Sequence, residues 1–349
     1  MTFRVLLAGV LLTTPLVSQV VSAAPMSSNW KAKLDPQMKA VLDEWMKTKP
    51  KPIEKLTPAQ ARVQPLPGVG VMRVLQKQGK STAPEAVGSV MMQSIPGPIG
   101  PIPVRVYKPK GEGPFPVLVY IHGGGWVIAS IQAYDSSARA LCNAANAMVV
   151  SVGYHYAPEH KFPSAHEESY AATQWLMKNV QGWGGDPKRV AIAGESAGGN
   201  MATAVCMMAR DRKGMMPIHQ LLVYPVAQIG KITPSYRANW DAKPLNVPTL
   251  KWFGKHELKS PAQGKHPYMS VLNGNVKGLP PATIVLAEID PLLSEGQMYA
   301  AKLRKAGIPT KEMLYTGVTH EFFGMGAVVN KAKQAIVFAG GELKKAYAK

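Results

Sequence analysis

The sequence predicts an α/β fold: a mainly parallel, eight-stranded sheet with helices on both faces and a helical cap over one end. Three observations predict it. From about Pro116 onward, short apolar runs alternate with helical patterns, the signature of parallel strands joined by crossover helices. Two further runs just before this region are separated by turn residues and read as an antiparallel pair. Finally, Gly194-Glu195-Ser196-Ala197-Gly198 follows the apolar run Val190–Ala193 and opens a helical pattern. That is a strand turning sharply into a helix with one serine at the bend.

Taken in order, the chain opens with Arg4 and the apolar run Val5–Leu12, ending at the small residues Val21-Ser22-Ala23. This is the pattern of a cleaved export signal over residues 1–23, and it predicts a periplasmic or secreted protein. Pro15, Ser18 and Gln19 interrupt the run before it reaches the length of a membrane span. Residues 24–349 are expected to form a single domain. Leu34, Met38, Val41, Leu42, Trp45 and Met46 recur at helical spacing, with Asp35 as cap and Pro36 in the first turn. Thr57-Pro58-Ala59-Gln60 has the form of a capping box. Strands are predicted over Val87–Ile95, Ile102–Tyr107, Pro116–Ile121, Met148–Gly153, Val190–Ala193, Leu221–Tyr224, Thr283–Ala287 and Lys311–Tyr315. Helices are predicted over Ser164–Lys178, Ala197–Ala209 and Gly296–Lys305. The stretch Gln228–Gln263 breaks the alternation and carries one helical pattern, around Pro248–Leu258. Residues 24–84 and 226–262 are therefore assigned to the cap.

Composition narrows the function classes. The formal net charge is +19. However, the lysines are dispersed along the chain and form no basic stripe, so nucleic acid is not the expected partner. Cys142 and Cys206 sit among small apolar residues of helical patterns and read as buried thiols. The histidines have no metal-ligand spacing, and neither a phosphate-binding loop nor a dinucleotide fingerprint is present. No cofactor or metal is expected.

The chemistry is carried by four stretches that agree. Gly194 and Gly198 flank Ser196 and leave room for a tight turn that exposes the hydroxyl. His122-Gly123-Gly124-Gly125-Trp126 follows a strand, and its consecutive glycines let backbone N–H groups approach a bound oxyanion. Asp290 follows the strand Thr283–Ala287, and His320 follows Lys311–Tyr315. The order Ser196, Asp290, His320 is that of a serine hydrolase built on this kind of sheet. Glu295 is the rival carboxylate, as both it and Asp290 sit near a helix start, but the end-of-strand position favours Asp290. Trp126, Trp252 and Phe253 are candidates for a substrate pocket, although aromatics at such spacing are also ordinary core residues.

These motifs, together with Tyr154–Pro163 (YHYAPEHKFP), Asp290–Gly296 (DPLLSEG) and Thr319–Met325 (THEFFGM), resemble the hormone-sensitive-lipase-like esterases. These are the bacterial HGGG-type (family IV) branch of the α/β-hydrolase fold, and the resemblance runs from about Val87 to the carboxyl end. It implies Ser196 as nucleophile, His320 as base and Asp290 as its carboxylate. It also implies the N–H groups of Gly124, Gly125 and Ala197 as oxyanion hole, with His122, Gly123, Gly194, Glu195 and Gly198 in support. Three positions depart from the family pattern: Glu321 after His320, where a small residue is usual; Glu195, where aspartate is common; and His155, where arginine is frequent. The expected activity is hydrolysis of short-chain acyl esters through an acyl-enzyme. The same machinery would also suit an amide, lactone, carbamate or polyester, or a lipase docking on anionic lipid. A non-catalytic binding protein is the remaining alternative.

Overall fold

The computed structural model describes Met1 and residues 29–349; apart from Met1, the expected export signal lies outside the described residues. Helix α1 (Pro36–Met46) starts where Asp35 accepts the N–H of Gln37 at 2.9 Å. Helix α2 (Pro58–Arg62) has the reciprocal Thr57–Gln60 capping box. Helix α3 (Gly68–Lys77) was not anticipated, because Gly68 and Gly70 argue against a helix. The reason it forms is tertiary: a Cβ on Gly70 would lie 2.2 Å from the carbonyl oxygen of Val41, so the glycine permits close packing on α1.

Strands β1 (Ser89–Ile95) and β2 (Ile102–Lys108) are the expected antiparallel hairpin, closing at the pair Ile95–Ile102. The alternating region follows: β3 (Phe115–Ile121), α4 (Asp135–Ala145), β4 (Met148–Val152), α5 (Ser164–Asn179), β5 (Gly185–Glu195), α6 (Ala197–Asp211) and β6 (Gln220–Val223). The insertion holds two helices, α7 (Pro234–Ala238) and α8 (Val247–Glu257), where one was expected. The missed helix had a legible start: Thr233 caps it through the N–H of Tyr236 at 3.3 Å, and Pro234 occupies its first position. The chain ends with β7 (Ala282–Ile289), α9 (Leu293–Lys305), β8 (Thr310–Thr319) and α10 (Asn330–Tyr347).

The sheet has eight strands in the order β1-β2-β4-β3-β5-β6-β7-β8. β2 runs antiparallel to both β1 and β4, and every other pairing is parallel. The pleat splits the core in two. Val117, Val119 and Ile121 of β3 pack with residues of α5, α6 and α9, whereas Leu118 and Tyr120 pack with residues of α4 and α10. Strands buried on both faces explain the unbroken apolar runs in the sequence. The amino-terminal segment and the insertion meet each other: Trp252 Nε1 donates to the carbonyl of Leu56 at 3.0 Å, and Thr249 Oγ1 donates to Glu54 at 3.1 Å.

Candidate active site

Strand β5 ends at Glu195 and α6 begins at Ala197, so Ser196 alone makes the turn. Its backbone lies at φ 56°, ψ −118°, a conformation that a side-chain-bearing residue adopts only under constraint. The constraint is visible. The Ser196 N–H donates to Val223 at 2.9 Å, and its carbonyl accepts from Asn200 at 3.1 Å and Val226 at 3.2 Å. Gly194 and Gly198 make room: a Cβ on Gly194 would lie 2.2 Å from the Gly198 backbone, and one on Gly198 would lie 2.0 Å from the carbonyl oxygen of Ile121.

The glycine loop leaves the end of the neighbouring strand β3. Gly124, at φ 100°, turns so tightly that its carbonyl accepts from Val127 at 3.1 Å and Ile128 at 2.9 Å. The ring of Phe253 lies directly over Gly125, where a Cβ would come within 2.2 Å of it. His122 is buried and stacked on Tyr154 at 4.5 Å between ring centroids. Burial pushes its imidazole down to about 4, so it is neutral and donates from Nδ1 to the carbonyl of Gly123 at 2.7 Å. His122 thereby orients the loop. Gly123 fits between Tyr134 and the carbonyl of Glu195, with no space for a side chain.

Asp290 and His320 come together because the parallel β7–β8 register slips by two residues after the pair Ala287–Tyr315. Ile289 sits opposite Thr319, and the next residue on each strand is the functional candidate. His320 Nδ1 lies 2.6 Å from Asp290 Oδ2, while the other Asp290 oxygen accepts the Leu292 N–H at 2.8 Å. Asn239 of the insertion donates to the Asp290 carbonyl at 3.2 Å. Burial opposes a charged His320, but Asp290 outweighs it, helped by Glu321 and Glu195, and the imidazole's affinity for a proton is raised. Glu295, the rival carboxylate, is committed elsewhere, accepting the N–H groups of Ala227 at 2.8 Å and Gln228 at 3.3 Å.

Ser196, His320, Gly124, Gly125 and Phe253 line one cavity of about 890 Å³ including its open mouth, walled by residues 45–67 of the amino-terminal segment and 243–253 of the insertion. Asp290 lies behind His320, and Ala197 places its N–H at the first position of α6. Trp126 and Trp252 do not line this cavity. Trp126 is buried with its ring 6.2 Å from that of His166. Successive residues on a helix point about 100° apart, so with Phe253 facing the cavity, Trp252 faces Leu56. Glu195 is buried beneath the site, bonded to the hydroxyls of Tyr120 and Tyr224 and pushed up to about 7 by burial. Cys142 and Cys206 are free and buried, and no cluster of metal-ligating side chains occurs among the described residues.

Sequence reasoning missed two features. Arg62 of α2 forks onto Glu159 at 2.9 and 2.6 Å and also donates to the carbonyls of Val127 at 2.9 Å and Ala157 at 2.8 Å. It ties the amino-terminal segment to the loop beyond the glycines, and no local pattern announces such a pair. Backbone strain also gathers here. Trp126, Ala129, Ser196, Tyr224 and Glu321 all have positive φ, five of the eight non-glycine residues that do among the described residues.

Residues 118–324 match a family model described as alpha/beta hydrolase fold. The carboxylic ester hydrolase LipN of Mycobacterium tuberculosis is 38% identical over 66% of this chain; the match spans just under two thirds, 64%, of LipN itself. Ethyl acetate hydrolase of Pseudomonas putida is 33% identical over 74% of this chain and 82% of its own length. A hyperthermophilic esterase from Pyrobaculum calidifontis superposes with a TM-score of 0.81 at 32% identity, over 90% of this chain and 98% of the esterase. The chain belongs to the α/β-hydrolase-fold family, among the hormone-sensitive-lipase-like carboxylic ester hydrolases.

Proposed function

We propose that the protein is a serine carboxylesterase that hydrolyses short-chain acyl esters through an acyl-enzyme. The observation that carries this reading is a strained, cavity-facing Ser196 in the same pocket as a histidine whose far nitrogen is held by a carboxylate at 2.6 Å. His320 Nε2 takes the Ser196 proton as Oγ attacks the ester carbonyl carbon. The carbonyl electrons move to oxygen, and the N–H groups of Gly124, Gly125 and Ala197 stabilise that oxyanion. Collapse expels the alcohol, which takes its proton from His320. Water then attacks the acyl-enzyme with the same base and frees Ser196. Asp290 accepts from Nδ1, fixing the tautomer and stabilising the imidazolium. Phe253 over Gly125 restricts the space beside the scissile bond, which favours small acyl groups. The expected leader supports a periplasmic or secreted location. No helix among the described residues is long and apolar enough to cross a membrane.

The test is fluorophosphonate labelling beside turnover of an aryl-ester chain-length series and matched amides. The expected result is one adduct on Ser196, preference for short esters over amides, and loss of about three to six orders of magnitude of turnover in Ser196→Ala. Persistent turnover in that variant would overturn the assignment.

A further inference from the structure

We propose that Glu321 is a positioning residue of the hydrolytic site, a second carboxylate engaging the Nε2 edge of His320 and anchored there by Tyr134. The proposal rests on the reading of His320 as the base for Ser196. Glu321 holds a left-handed backbone, φ 69°, directly after His320. Its side chain lines the cavity beside Ser196 rather than standing in open solvent. Oε1 accepts from the Tyr134 hydroxyl at 2.6 Å and lies 3.9 Å from His320 Nε2. Tyr134 is itself buried, packed against Gly123 at the start of α4, so the anchor is rigid.

The imidazole is thus bracketed. Asp290 occupies Nδ1, and Glu321 stands near the nitrogen that exchanges protons with serine, leaving alcohol and water. The other groups facing this pair are Glu195 at the end of β5, Tyr120 of β3, and Tyr224, whose ring is 4.5 Å from that of His320; Lys51, Glu54 and Lys243 stand around the cavity wall. A negative charge beside Nε2 favours the imidazolium that forms during attack, making His320 a stronger base that keeps its proton to higher pH. Burial works against that charge and pushes the Glu321 carboxyl upward, while His320 and the Tyr134 hydroxyl oppose the rise.

The experiment is an NMR titration of [15N]histidine-labelled protein, parent and Glu321→Gln, alongside the pH profile of kcat/KM. Glutamine keeps an acceptor for Tyr134 and removes only the charge. The His320 midpoint should fall by about 0.8 pH unit or more, the effect of one charge at 3.9 Å even in a water-like dielectric, and the acidic limb of the profile should follow. Glu321→Asp withdraws the carboxylate by one methylene and should move the midpoint the same way by a smaller step, which keeps the test decisive if the glutamine variant fails to fold. A midpoint unchanged in the folded variants overturns the proposal. The titration needs no substrate, so absence of ester turnover in the parent would overturn the esterase reading while the coupling of Glu321 to His320 is still measured.

Discussion

Asp290 and His320 lie thirty positions apart in the chain yet meet at 2.6 Å, each one residue beyond the paired strand residues Ile289 and Thr319. The two-residue slip in the parallel β7–β8 pairing, between Ala287–Tyr315 and Ile289–Thr319, therefore sets the carboxylate–imidazole contact. The contact is reinforced from both sides, by the Leu292 N–H on the second Asp290 oxygen and by Asn239 on its carbonyl. Asp290→Asn should preserve the fold and lower aryl-ester kcat by roughly four orders of magnitude, because an amide no longer selects the tautomer with hydrogen on Nδ1. Steady-state kinetics of the purified variant check this. A kcat within tenfold of the parent would remove Asp290 from the machinery.

Phe253 closes the cavity over Gly125, leaving no room for even a methyl group at that glycine. Phe253→Ala should open this wall and raise kcat/KM for octanoyl relative to acetyl esters by about tenfold or more, the scale on which apolar pocket contacts discriminate chain length. An unaltered chain-length profile would place the acyl group elsewhere in the cavity.

Glu295 is buried with its carboxylate on the Ala227 and Gln228 N–H groups, and burial pushes its pKa from an ordinary 4.5 up to about 8. Between those values the unfolded chain ionises while the folded one keeps its proton, so this group's contribution to stability is complete below pH 4.5 and is lost as pH rises toward 8. Glu295→Gln keeps the acceptor oxygen and cannot titrate. It should gain stability relative to the parent with rising pH, by up to about 5 kcal/mol across the window. His122 and His166, each held near 4 by burial, act in the opposite sense, losing their contribution as pH falls from 6.5. They are common to both proteins and cancel in the comparison. Urea midpoints of the two proteins at pH 5 and pH 8 provide the measurement; a constant difference between them would count against a titrating Glu295.

The strand–helix alternation was legible because strands buried on both faces must be apolar throughout, and the crossover helices announce themselves by their period. The candidate Ser196, Gly124, Gly125 and His320 were legible for a different reason. A strained turn and a close backbone approach admit few residue types, so the local sequence is nearly dictated by the geometry it must adopt. Helix α3 was illegible because Gly70 is disfavoured in a helix by local propensity and is needed only where α1 packs against it. The pocket roles of the aromatics were equally unreadable: Trp252 and Phe253 are neighbours in sequence, and only the docking of α8 decides which of them faces the cavity.

By itself, the sequence determined the architecture, the turn that carries Ser196 and the order of the three polar candidates, since each depends on the backbone within a few residues. Tertiary structure alone decided that Glu321 turns back toward His320 and that Arg62 joins the amino-terminal segment to Glu159. These are distance relationships between side chains on separate elements. They follow from strand register and helix docking, which the whole core sets and no local pattern encodes.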